Sequence, residues 1–158
     1  ITSASAAHKA AVDMLITVRK AAPETPIEGF LVTEMVSGVE CIVGIYPDPV
    51  FGPVVILGAG GIAVELLQDV SRRLAPVCER RATDMIRELR TFALLDGYRG
   101  RPTADIPALA RAIVAISELA CANADRIAVL EVNPLIVRAE GQGALALDCV
   151  LRTHPHGD

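Results

Sequence analysis

A chain of 158 residues makes one ordinary domain or most of one, and its 52% hydrophobic residues supply material for a substantial core. Aromatics are only 3% and Trp is absent, so that core must be built from Ala, Val, Ile and Leu, as in α/β and α+β layers. A net charge of −4 argues against nucleic acid as a main partner, and no apolar run approaches the roughly 18 residues of a membrane span.

Signal-peptide architecture is not visible either. Cys41, Cys78, Cys121 and Cys149 are dozens of residues apart, each in or beside an apolar stretch. They read as reduced, mostly buried thiols of a cytoplasmic protein. The chain starts at Ile1, directly in helix-forming sequence, as a piece cut from something longer or a processed terminus would.

Ala7, Ala10, Ala11, Met14, Leu15 and Val18 recur at helical spacing, and Pro23 closes that amphipathic helix. Apolar and β-branched residues dominate 29–36 and 39–46, and Ser37-Gly38 between them reads as the turn of a β-hairpin. In such a hairpin Glu34 faces Cys41 and Glu40 faces Met35, which puts the two carboxylates on opposite faces. A shared ligand would then need an irregular chain near Val36.

Val54 to Leu57 reads as a short buried strand running into Gly58-Ala59-Gly60-Gly61. Ala63, Leu66, Leu67, Val70 and Leu74 then have helical spacing, bounded by Pro76. With Ala63 in place of a third glycine and Glu79 downstream, this run mimics a dinucleotide fingerprint. No strand–helix–strand alternation follows, so a nicotinamide-dependent oxidoreductase is disfavoured. A turn needing close backbone approach, or one facing a phosphoryl group, fits as well.

A helix is expected over 83–94, with Asp84 in its first turn, and a basic loop at Tyr98, Arg99 and Arg101. Asp105 caps the next helix, whose stripe is Leu109, Ile113, Ile116 and Ala120. Strands over 127–132, 135–138 and 144–150 finish the domain, and 153–158 is expected to be a loose tail. Short-looped hairpins with helices grouped between them indicate an α+β fold with a mainly antiparallel sheet flanked by helices. His8, His154 and His156 have no partner suggesting catalysis.

The last hairpin carries the most specific chemistry. If Ala139, Glu140, Gly141 and Gln142 form its loop, Arg138 pairs with Gly143 and Asn133 stands opposite Asp148. Glu131, two residues from Asn133, shares that face. Two carboxylates and an amide oxygen suit a hard cation such as Mg2+. An exposed strand face with incidental polar residues is the competing reading.

In order, Gly29-Phe30-Leu31-Val32-Thr33-Glu34-Met35-Val36, Phe51-Gly52-Pro53-Val54-Val55, Gly58 through Glu65, Leu74-Ala75-Pro76, Gly97-Tyr98-Arg99-Gly100 and Leu130-Glu131-Val132-Asn133-Pro134-Leu135 resemble the ATP-grasp domain of NDP-forming acyl-CoA synthetases. The resemblance implies the C-terminal part of that domain over 1–152, without its N-terminal subdomain. It implies an acid–CoA ligase that interconverts ATP, carboxylate and CoA with acyl-CoA, ADP and phosphate through a phosphohistidine. ATP and Mg2+ are the implied cofactors. A CoA-binding, phosphohistidine-bearing domain or subunit is the implied partner, in a homo- or hetero-oligomer.

By the same resemblance Glu34, Met35 and Val36 form the adenine hinge, Glu40 contributes at the nucleotide, and Gly58, Gly60 and Gly61 belong to its pocket. Asn133 and Asp148 match Mg2+ ligands and Glu131 the acidic member of Glu-x-Asn. It also favours a shorter helix after the glycines, with a strand over 71–75. The family's phosphate-contacting lysine and His-Lys glycine loop have no counterpart here, so the fragment alone is expected to be inactive and to bind ATP weakly. The alternative is a non-catalytic sensor or structural module of an acetyltransferase fusion.

Overall fold

A computed structural model of the chain describes residues 1–61 and 68–154. It divides into two compact units, Ile1–Met35 and Val36–Asp158. In the first unit, helix α1 (Ala4–Ala21) starts where the Ser3 hydroxyl accepts the Ala6 N–H at 3.1 Å. None of its residues is buried. The chain after it, through residue 37, has no strand.

That overturns the expected hairpin of 29–36 with 39–46. In the second unit, β1 (Val39–Asp48) is flanked on both edges, by β2 (Gly52–Ala59) and by β4 (Ile127–Val137). With both rows of its backbone groups taken, β1 has no edge to offer a third strand. The argument that placed Glu34 and Glu40 on opposite faces falls with the hairpin.

The sheet is antiparallel throughout, in the order β3 (Val70–Leu74), β2, β1, β4, then β5 (Ala144–Ala146) and β6 (Cys149–Thr153), both of which pair with β4. This is the α+β class expected. The strand β3 replaces the end of the long helix that apolar periodicity suggested. The expected helix directly after the glycines falls on 62–67, outside the described residues, as do 155–158 of the expected tail over 153–158. The tail's first two residues are ordered instead, Thr153 ending β6 and His154 N–H donating to the Arg126 carbonyl at 2.8 Å.

Between β3 and β4 run α2 (Glu79–Glu88), α3 (Phe92–Leu95), a 3-10 turn at Tyr98–Gly100, and α4 (Ile106–Ala122). They cover one sheet face. Cys41, Val43 and Ile45 of β1, Val55 and Leu57 of β2, and Leu130, Val132, Leu135 and Val137 of β4 meet Met85, Ile86, Leu109 and Ile113 there. Burying each large side chain fully stabilises the fold by roughly 1.5–3 kcal/mol. Asp105 caps α4 as expected, its Oδ1 accepting the Ala108 N–H at 3.0 Å.

The single helix expected over 83–94 is two helices. The buried Asp69 carboxylate accepts the N–H groups of Arg90 and Thr91, both at 2.8 Å, and the Thr91 hydroxyl at 2.6 Å. Those N–H groups would otherwise bond back into the helix, so the helix stops at Glu88. Its start at Glu79 places Asp84 mid-helix and gives the first-turn acid role to Glu79. Glu88 accepts from Ser71 and pairs with Arg73, joining α2 to β3.

The thiols also depart from expectation. Only Cys41 is buried, and Cys78 and Cys149 are exposed. Burial pushes Cys41 up to about 12. The backbone N–H of Arg81, with smaller help from Arg80, holds Cys78 below the usual thiol range. A thiol reagent at neutral pH is expected to label Cys78 and Cys149 rapidly in the native chain and Cys41 only on unfolding. Rapid native labelling of Cys41, read by mass spectrometry, would contradict the packing.

Candidate nucleotide and cation site

Strand parity decides what the sheet face away from α2 and α4 carries. From β1 it receives Glu40, Ile42, Gly44 and Tyr46, since the alternate residues Cys41, Val43 and Ile45 are in the core. Across β4, Gly44 pairs with Glu131. On β4, Cys41 pairs with Leu135 while Val43 pairs with Val132, so Asn133 and Pro134 together oppose Ile42 alone. This bulge keeps both Val132 and Leu135 in the core and leaves Asn133 exposed.

The loop register is the expected one. Arg138 N–H donates to the Gly143 carbonyl at 3.0 Å, and Asn133 N–H to the Asp148 carbonyl at 3.1 Å. Asn133 therefore stands opposite Asp148, with Glu131 on the same face. The expected strands over 127–132 and 135–138 are one strand, because backbone pairing resumes past the bulge. The returning arm is two short strands, β5 and β6, interrupted at Leu147 and Asp148.

Side-chain bonds order the cluster further. Asn133 Nδ2 donates to Glu131 Oε1 at 3.2 Å, and the Tyr46 hydroxyl donates to Glu131 Oε2 at 2.7 Å. A carboxylate only accepts, so the Asn133 amide nitrogen must face Glu131 and its Oδ1 faces elsewhere. Asp148 Oδ1 accepts the Cys149 N–H at 2.8 Å, leaving Oδ2 without a partner among the described residues. The hydrogen bond to Glu131 raises the Tyr46 phenol above its ordinary range, and partial burial and the Glu131 charge add to it.

Among the described residues no three His, Cys, Asp or Glu side chains converge as a metal cluster. The set here has two carboxylates, and Asn133 Oδ1 is the third oxygen. Such an all-oxygen, incomplete set fits a hard divalent ion that keeps waters or takes ligand oxygens at its other positions. Tyr46 was not singled out by sequence. Its parity with Glu40 and Gly44 on one strand was the available signal, but a partner 85 residues away was not readable.

The second cluster is on the same face, centred on Glu40, two residues before Ile42 on β1. Gly60 N–H donates to the Glu40 carbonyl at 2.8 Å. A Cβ on Gly60 would fall 2.5 Å from Glu40 Cβ, and Gly61, at φ +68°, has the Glu40 carboxylate 3.0 Å from its own Cβ position. The glycines thus permit close approach and positive φ, and they bring the Glu40 carboxylate to the turn. Gly58 is a buried β2 residue paired with Ile42.

Along β1 Glu40 precedes Gly44, the partner of Glu131, by four residues, or ~13 Å, and Ile42, which faces Asn133, by two, or ~7 Å. Recesses of about 220 and 290 Å³ at this end share Gly38, Val39, Leu94 and Arg101. Glu34 and Met35 lie in the first unit, exposed, beside a recess of about 470 Å³ lined with Ala7, Ala10, Ala11 and Met14 of α1. Val36, half-buried, opens the second unit. No helix among the described residues is long and apolar enough to cross a membrane.

Known proteins share this architecture. The β subunit of the ADP-forming acetate–CoA ligase II of Pyrococcus furiosus is 38% identical over 131 residues, 82% of this chain and 56% of that protein. The ADP-forming acetate–CoA ligase I of Archaeoglobus fulgidus is 39% identical over 91% of this chain and 21% of its own length. The chain thus spans from about a fifth to about half of these relatives. An acetyl-coenzyme A synthetase of Ca. Korarchaeum cryptofilum, solved with coenzyme A, acetyl-coenzyme A and a phosphorylated phosphohistidine segment, superposes with a TM-score of 0.82 at 36% identity, covering 98% of this chain and 68% of that one. The same enzyme with coenzyme A and Mg-AMPPCP gives 0.71 at 38% identity, covering 76% and 55%. The ATP-grasp domain profile matches residues 1–153, and the chain belongs to that family.

Proposed function

We propose that this chain is the nucleotide- and Mg2+-binding part of an ADP-forming acyl-CoA synthetase, in which ATP, a carboxylate and CoA give acyl-CoA, ADP and phosphate. The observation that carries the reading is one sheet face bearing Glu131, Asn133 and Asp148, with Glu40 beside Gly60 and Gly61 two to four strand residues, or ~7–13 Å, further along it. That spacing suits the phosphate and nucleoside ends of one extended nucleotide. The Korarchaeum enzyme's complex with Mg-AMPPCP supports the same choice of ligand.

Asn133 Oδ1, Asp148 and Glu131 would hold Mg2+, which supplies a positive charge against phosphate oxygens. Asn133 and Asp148 would fix its place, and Glu131, which accepts from the Asn133 amide, would also orient that amide. Glu40 and the segment Glu34, Met35 and Val36 would take the nucleoside. A CoA-binding, phosphohistidine-bearing domain or subunit would complete the enzyme, as a cytoplasmic homo- or hetero-oligomer. The β-subunit relative supports a division among chains. By itself the chain is expected to turn over no acyl-CoA.

Calorimetric titration with ATP, with and without Mg2+, tests this on the wild type and on Asn133→Ala/Asp148→Ala. Magnesium is expected to strengthen nucleotide binding at least about tenfold in the wild type and not in the double variant. Equal Mg2+-dependent affinity in both would refute the cation assignment.

A further inference from the structure

We propose that Tyr46 is a positioning residue for the cation site, locking Glu131 and through it the amide of Asn133; this rests on the proposed function above. The Tyr46 hydroxyl donates to Glu131 Oε2 at 2.7 Å, and Glu131 Oε1 receives Asn133 Nδ2 at 3.2 Å. Each bond leaves the next group one way to point. A half-buried carboxylate without such partners samples several rotamers, and an amide beside it can flip.

Gly44 makes this reach possible. Tyr46 is two residues along β1 from Gly44, and Glu131 is opposite Gly44 on β4, so the ring must pass over that position. A Cβ on Gly44 would come 3.1 Å from Tyr46 Cε2, tighter than ordinary contact. The glycine leaves the space in which the ring lies. Partners of metal-binding groups act in this way, by fixing ligand orientation and easing none of the coordination themselves.

The test uses Mn2+, an oxygen-seeking ion visible by electron paramagnetic resonance, as the probe. Tyr46→Phe keeps the ring and removes only the donor. It is expected to weaken Mn2+ binding about tenfold, with an unchanged thermal midpoint. Gly44→Ala, which keeps the hydroxyl but displaces the ring, is expected to weaken it in the same direction.

Fluorescence supplies a second readout, because the chain has two tyrosines and no tryptophan. In a Tyr98→Phe background Tyr46 is the sole emitter, and its phenol is quenched by the carboxylate it donates to. Mn2+ quenches on its own, so Mg2+ is used here, and its addition is expected to change the emission along the same isotherm as binding. Unchanged Mn2+ affinity in Tyr46→Phe, with binding lost in Asn133→Ala, overturns the role of Tyr46 and leaves the cation site standing. If the wild type binds neither Mn2+ nor Mg-ATP, the cation site itself fails and the proposal with it.

Discussion

Asp69→Ala is expected to destabilise the chain by about 3 kcal/mol at neutral pH. The side chain is 5% exposed and accepts three hydrogen bonds, from the Arg90 and Thr91 N–H groups and the Thr91 hydroxyl. Truncation leaves those donors facing a void, at about 1–3 kcal/mol for each that water cannot reach. The break between α2 and α3 loses its cause at the same time. Urea denaturation of both proteins reads the difference, and a loss below about 0.5 kcal/mol would show that the clamp contributes little.

The effect has a defined pH dependence. Burial raises the Asp69 carboxyl, but the Thr91 hydroxyl and the two N–H groups outweigh it and hold the group below the usual carboxylate range. A carboxyl lowered in the folded state stabilises fully above its unfolded pKa of about 3.9. That stabilisation is lost as pH falls through the lower folded value. The cost of Asp69→Ala is therefore expected to be greatest near neutrality and to shrink in acid. Asp105, lowered by the N–H groups of Gly143 and Ala108, and Glu88, lowered by Ser71 and Arg73, reinforce acid lability in the same direction.

Gly60→Val is the second large effect, again about 3 kcal/mol. Its Cβ would sit 2.5 Å from Glu40 Cβ and 2.6 Å from the Glu40 carbonyl carbon, which is backbone and cannot swing aside. Relief requires moving the turn away from β1, which breaks the 2.8 Å bond from Gly60 N–H to the Glu40 carbonyl. Overpacking costs about 1–3 kcal/mol, and the lost bond adds about 1 kcal/mol. At roughly 2–4 °C per kcal/mol for a chain of this size, the midpoint should fall by about 6–12 °C. A midpoint within about 1 °C of wild type would mean that the turn does not press on β1 as described. The displaced Glu40 should also weaken nucleotide binding.

Local rules read well where partners are near in sequence. The four-residue loop and the period of two set Asn133 against Asp148, and one acid before an apolar stripe marked Asp105 as a cap. Long-range partners were not legible. Nothing near 29–36 reveals that β4, some 90 residues on, takes the edge of β1 that a hairpin would have used. Nothing near Arg90 shows that a carboxylate 21 residues earlier ends its helix. The exposed Cys78 and Cys149 failed for a related reason: an apolar neighbourhood in sequence does not say which face is covered.

The two arms that present the proposed cation ligands are unequal. β4 is held between β1 on one side and β5 and β6 on the other, whereas every residue of β6 is exposed and, among the described residues, it pairs only with β4. Opening β6 exposes little new apolar surface, so it belongs to the cheap end of the native state's local unfolding reactions. Asp148, just before that strand, can leave and rejoin while Glu131 and Asn133 stay in place. A cation bridging Asn133 and Asp148 would be linked to that opening, and its affinity would carry the free energy of closing the outer arm.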